Sequence, residues 1–211
     1  AVAARAEFEG LIDKANIHLW HGLAARGEVE TGYTERRRVS EQVLDYHVNL
    51  LAPDVAVSAS PFEGMFDAVV PFVAGPGCGV PAGALFYDAI PLRFAAQYLP
   101  TRAHRSYYDR RLALLGNMAT KYCISEFSRN ELLSIQPKSS AVNISSGISR
   151  EIGAQIETLK RKRPCDISGG PSWSYVLYVG GFDWRKNVER LIEAFVSLPR
   201  ELSSSHALCI C

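Results

Sequence analysis

YVLYVGGFDWRKN, residues Tyr175–Asn187, changes character twice within thirteen positions. An apolar run rich in strand-forming residues stops at Gly180 and Gly181. A mixed loop carrying Arg185 and Lys186 follows, and from Asn187 onward apolar residues recur at helical spacing. That is the layout of a strand feeding a loop and then a helix. In open parallel sheets, ligands bind at this point, because the loop sits over helix N–H groups that carry partial positive charge. The glycine pair is expected to pass through φ > 0 and let the backbone approach a ligand, with Asn187 as the helix cap. Two cations at a helix start oppose its dipole unless an anion lies between them, and the candidate anion is a phosphate or diphosphate. Ordinary solvated charges are the competing reading of an Arg-Lys pair. The loop has neither G-x-G-x-x-G nor G-x-x-x-x-G-K-[ST], so a dinucleotide fingerprint and a P-loop are both unsupported.

The same alternation runs through the rest of the chain. DVAVSA (54–59), ALFYDAIP (84–91), KYCIS (121–125) and AVNIS (141–145) read as strands. Helices are predicted over Thr34–Leu51, with Val39, Val43, Tyr46 and Leu50 on one face, and over His104–Thr120, with Tyr108, Leu112, Leu115 and Ala119. EFSRNELLSI (126–135) is a third, with Ser125 as its cap and Glu126 near its positive end. A turn and helix are expected over residues 146–160. GPGCGVPAG (75–83) precedes a strand rather than a helix and reads as a turn. RKRPCDISGGPSWS (161–174) is rich in Pro, Gly and Ser and reads as a linker. The organisation expected is therefore α/β: a Rossmann-like domain over 1–160, a linker over 161–174, and the start of a second domain over 175–211, ending at the strand HALCIC.

Composition narrows the function. A formal net charge of +1 over 211 residues, without a basic stripe, argues against nucleic acid as a partner. Five cysteines without a CxxC point to reduced thiols and a cytoplasmic setting, and no run of about 18 apolar residues is present. Membrane contact is thus expected only as a peripheral one at the inner face, where Arg36–Arg38 and Lys160–Arg163 could meet anionic headgroups; solvated faces are the plainer reading of both clusters. His18 and His21 are spaced to share a helix face but lack a converging third metal ligand. The chain opens at Ala1 and stops inside an apolar run, which reads as a fragment of a longer protein.

YVLYVGGFDWRKNVERLIEAFVSLP resembles the opening of the C-terminal domain of family 4 glycosyltransferases. DVAVSASPFEG, ALFYDAIPL, YCISEFSRNELL and VNISSGIS follow in the order of that family's acceptor-side domain, so the resemblance runs from about Leu50 to the end. It implies a GT-B fold of two Rossmann-like domains around a cleft. It also implies transfer of a sugar, with retention, from a GDP- or UDP-linked donor to a saccharide or lipid-linked acceptor, in cell-surface polysaccharide assembly. Mannose from GDP-mannose is the donor expected.

By the same resemblance, Lys186 matches the family lysine that contacts the donor diphosphate, while Gly181 stands where the family often has arginine and Arg185 partly substitutes. Fixed cations there would stabilise the negative charge growing on the leaving diphosphate, so no metal or other cofactor is expected. Tyr87 stands where many relatives have His. Asp88, Ser125 and Glu126 fall at strand ends facing the cleft, and Ser60 and Glu63 lie on the acceptor side. The family's E-x7-E glutamates would lie beyond Cys211, so the isolated chain is expected to be inactive. Two alternatives stay open: a GT-B-fold nucleotide-sugar epimerase, and a noncatalytic sugar-nucleotide or glycan-binding module.

Overall fold

Each of the six strand-like runs forms a strand, and every pairing among the described residues is parallel. The computed structural model describes residues 12–23, 26–145, 147, 150–161 and 174–211. It divides into two units, Ala1–Gly147 and Ile148–Cys211. In the first, β1 (Ala56–Ser58), β2 (Ala82–Phe86), β3 (Thr120–Cys123) and β4 (Ala141–Asn143) make one sheet in the order β1-β2-β3-β4. In the second, β5 (Ser174–Tyr178) pairs with β6 (His206–Ile210) in register from Ser174–His206 to Tyr178–Ile210. This is the α/β class with Rossmann-like parallel sheets. The proposed linker falls almost wholly on residues 162–173, outside the described residues, as does Cys165.

The helices follow their caps. The Thr34 side chain accepts from Arg37 N and starts α1 (Glu35–Leu51), which ends where Ala52 turns left-handed, just before Pro53. Thr101 starts α2 (Arg102–Leu115) by accepting from His104 N, and Ser125 starts α3 (Glu126–Ile135) by accepting from Ser128 N. α4 (Arg150–Arg161) and α5 (Val188–Val196) belong to the second unit. α2 stops short of the expected Thr120 because Ala119 N already donates to Ala82 O, so the chain has joined the sheet by then. Ala119 fits the helical period only by coincidence.

The core of the first unit gathers Ala84 and Phe86 of β2, Cys123 of β3, Leu115 of α2, Leu132 of α3 and Met118. β2 lies between two strands, and burial also pushes the Cys123 thiol above its usual pKa. Gly83 is required by close packing, since a Cβ there would come within 2.6 Å of the Tyr122 ring.

α1 overturns the expected packing face. Val43, Tyr46 and Leu50 are exposed, whereas Arg37, Ser40, Leu44 and Asp45 are buried. The reason is what the helix packs against. β1 and β2 are joined by residues 59–81 without a helix, and this long loop presents backbone polar groups rather than an apolar sheet face. Arg37 donates to Val69 O, Arg26 O and Asp67 O at 2.9, 2.8 and 3.2 Å. About two turns on, Asp45 accepts from Gly75 N, and a turn further Asn49 donates to Gly77 O and accepts from Gly79 N. A polar helix face is what a loop requires. Arg37 is therefore neither a solvated cation nor a lipid contact, although Arg36 and Arg38 are exposed and Arg38 pairs with Glu35. The Lys160–Arg163 side chains lie outside the described residues.

Burial raises the pKa of Asp45 above its usual value, with Gly75 N opposing the shift. The stability it contributes is full below the unfolded-state value, near 3.9, and is lost as pH rises through the higher folded value. At neutral pH its charge is a cost. Asp45→Asn keeps the oxygen that faces Gly75, so its midpoint at pH 7 should equal or exceed the parent's, with the gap closing near pH 3 to 4. Asp45→Ala leaves Gly75 N unpaired and should lose about 1–3 kcal/mol. Thermal unfolding across that pH range checks both.

Candidate functional site

The four parallel strands of the first unit point their carboxyl ends to one edge, and the loops leaving that edge carry the polar residues. Behind β1 comes the loop with Ser60 and Glu63; behind β2 come Tyr87 and Asp88; behind β3 come Ser125 and Glu126. Ser60, Glu63, Tyr87 and Asp88 line a single cavity of about 190 Å³, whose remaining walls are Pro61, Phe62, Pro91 and Tyr108. The sequence pointed to the first four separately, and the fold brings them together.

Ser125 and Glu126 are not in that lining. Ser125 Oγ caps α3 at 3.1 Å from Ser128 N and lies 2.9 Å from Ser128 Oγ, which donates to Tyr87 O at 2.5 Å. The cap of α3 thus anchors the backbone of the residue that forms one cavity wall. Glu126 is exposed and pairs with Arg129 Nη1 at 2.7 Å. Asp88 Oδ1 accepts from Ile90 N at 2.9 Å, which fixes the turn after β2.

The loop bearing Ser60 and Glu63 is held from beneath. Tyr107 Oη donates to the carbonyls of Phe62 and Glu63 at 2.6 and 2.8 Å, and Arg111 Nε donates to Pro61 O at 2.7 Å. Arg111 is 1% exposed, and its burial pushes the guanidinium down to about 10. Its Nη1 reaches Glu41 at 3.4 Å. Glu28, also buried, pairs with Arg110 and approaches Arg37 Nε at 3.8 Å. Gly64 turns at φ +94°, and a Cβ there would come within 2.3 Å of Val69 O. None of these supports was singled out from the sequence. The available signal was on α1, where the positions i, i+3 and i+7 hold two polar residues, Arg37 and Ser40, and one apolar residue, Leu44.

In the second unit, the loop after β5 corrects the expectation for its glycines. Gly180 and Gly181 do not adopt positive φ; the left-handed residue is Asn187, at φ 53° and ψ 42°. Asn187 occupies the cap position of α5, but its side chain makes no capping hydrogen bond, because the Trp184–Lys186 3-10 turn brings the chain to α5 through that left-handed residue. The glycines have another use. A Cβ on Gly180 would meet the Tyr178 hydroxyl at 2.8 Å, and that hydroxyl donates to Gly181 O at 3.2 Å. The Gly181 side of the loop is open.

Arg185 also has an acidic neighbour within the loop. Asp183 Oδ1 accepts from Arg185 N at 3.0 Å and from Arg185 Nε at 2.8 Å. This pair already offsets the cation at the turn, which leaves Lys186, exposed and with no salt bridge among the described residues, as the cation facing outward. His18 and His21 lie in exposed, non-helical chain, and no group of three or more His, Cys, Asp or Glu that could hold a metal occurs among the described residues. No helix among them is long and apolar enough to cross a membrane.

Three curated proteins match the chain, each a "Serotype-specific mannosyltransferase WbdA" from Escherichia coli. One is 26% identical over 179 residues, which is 83% of this chain and 22% of the relative. Another is 26% identical over 213 residues, 96% of this chain and 25% of the relative. The chain therefore spans about a quarter of the length of the curated relatives it matches. No family model matches it. No solved structure matches it either.

Proposed function

We propose that the chain is part of a glycosyltransferase of polysaccharide assembly, in which the first unit receives the acceptor and the loop after β5 receives the diphosphate of a nucleotide sugar. The observation that carries the reading is the gathering of Ser60, Glu63, Tyr87 and Asp88 into one cavity at the carboxyl edge of a parallel sheet. The similarity to mannosyltransferases across 83% or more of the chain supports the same class and makes mannose the first sugar to try. A GT-B arrangement, retention at the anomeric carbon, a GDP or UDP carrier, a lipid-linked or free saccharide acceptor, and work in the cytoplasm at the inner membrane face belong to this proposal.

The chemistry assigned to this chain's residues is modest and specific. Breaking the glycosidic bond to the diphosphate leaves negative charge on the departing oxygen. Lys186, exposed in the same loop as Gly181, is the cation assigned to it, while Arg185 is oriented by Asp183 and shapes the turn. On the acceptor side, Asp88 and Glu63 offer carboxylates and Ser60 a hydroxyl to the incoming sugar hydroxyls.

Donor preference is the first test. The complete polypeptide should show a raised thermal midpoint with GDP-mannose, and a smaller or no shift with UDP-sugars. Product analysis then separates sugar transfer from epimerisation, which would return the nucleotide sugar with an inverted carbon. A complete polypeptide that no nucleotide sugar stabilises would contradict the donor reading.

A further inference from the structure

The cavity at the carboxyl edge holds one polar group that the site description leaves unused. Tyr108 is 3% exposed, and its ring stacks on Phe62 with centroids 5.0 Å apart, so its position is fixed. Its hydroxyl has no hydrogen-bond partner among the described residues, whereas the adjacent Tyr107 hydroxyl serves two carbonyls. Asp88, on the same cavity wall, uses Oδ1 for Ile90 N, and its second oxygen makes no hydrogen bond among the described residues. Burial first, then Asp88 and Glu131, push the Tyr108 phenol above its usual pKa, so it stays a donor at physiological pH.

An O–H donor and a carboxylate acceptor that share a cavity without bonding each other suit a group able to accept and donate at once. A hydroxyl is such a group. The other walls alternate apolar surface, from Phe62, Pro91 and the Tyr87 ring, with the polar Ser60 and Glu63, which suits a ring with C–H faces and hydroxyl edges. At about 190 Å³ the cavity falls below the roughly 300 Å³ where pockets for drug-sized ligands begin, so a nucleotide sugar is too large for it and a single ring is not.

We propose that this cavity seats one monosaccharide ring of the acceptor, with Tyr108 Oη donating to, and the free oxygen of Asp88 accepting from, one hydroxyl of that ring. The inference rests on the acceptor reading of the first unit and adds to it the residue that selects the sugar.

Tyr108→Phe in the complete polypeptide keeps the stacked ring and removes only the donor. The acceptor KM should rise about tenfold, while kcat at saturating acceptor and the donor KM stay within about twofold. An acceptor deoxygenated at the recognised position should show equal KM with both proteins. Asp88→Asn, which keeps an oxygen for Ile90 N, should give a smaller rise in acceptor KM and guards against a phenylalanine variant that fails to fold. An unchanged acceptor KM, or a change confined to the donor KM, overturns the proposal. If the wild type transfers no sugar, the glycosyltransferase reading fails separately. Saturation-transfer NMR with methyl mannoside then decides the cavity alone: a wild-type signal lost in Tyr108→Phe supports it, and an equal or absent signal overturns it.

Discussion

Arg37→Met should lower the unfolding midpoint by roughly 10 °C, a loss of about 3–5 kcal/mol, whereas Arg36→Met should leave it unchanged. The two arginines adjoin in sequence but differ in surroundings. Arg36 is exposed, while Arg37 is 2% exposed and supplies the donors for three backbone carbonyls. Methionine fills much of the volume but removes the donor that Val69 O, Arg26 O and Asp67 O share, and of the two arginines on Glu28 it leaves Arg110. Arg37→Lys should rescue little, because one ammonium cannot span carbonyls that a planar fork reaches together. Urea or thermal unfolding of the three variants reads this directly. A midpoint for Arg37→Met within 2 °C of the parent would mean that the loop between β1 and β2 is held by something other than α1.

Lys186→Ala should reduce kcat of the complete polypeptide by about 10²- to 10³-fold, with acceptor KM within a few-fold of the parent. The size follows from where charge develops: the diphosphate is more negative as it leaves than when it is bound in the sugar nucleotide, so a cation aimed at it acts mainly on the transition state. Arg185→Ala should behave differently. Its guanidinium is committed to Asp183, so its loss should disturb the 3-10 turn and raise donor KM along with lowering kcat. Steady-state kinetics with donor and acceptor varied in turn separates the two patterns.

The strands were legible as short runs of apolar and aromatic residues bounded by turn signals, such as ALF, which β2 largely buries, and YVLY, which stays largely exposed in β5. The Ser125 cap was legible for a local reason, since a serine before an acidic first turn needs no tertiary information. What the sequence hid is the work done on the loop between β1 and β2. Val39, Val43, Tyr46 and Leu50 have the spacing of a core face, yet α1 turns Arg37 and Asp45 inward because its neighbour is a backbone with unmet carbonyls and amides. Periodicity records apolar residues and is silent about what they face. The β5 loop was hidden in the same way. Glycines advertise positive φ, but Asn187 takes the left-handed turn, and Arg185 has an anion of the chain's own in Asp183, two residues before it. Tyr108 looked like one member of a helical stripe, and only its pairing with Phe62 beside Asp88 marks it as part of the cavity.

The central claim is that this chain belongs to an enzyme that moves a sugar from a nucleotide to a glycan. Its most direct test is the fate of radiolabelled mannose when the complete polypeptide is given labelled GDP-mannose and an oligomannose acceptor. The account predicts label in a glycosidic bond of the acceptor, with one nucleoside diphosphate released per sugar transferred, and loss of both on Lys186→Ala. Label that remains entirely in the nucleotide sugar, intact or epimerised, with none in any saccharide, would contradict it.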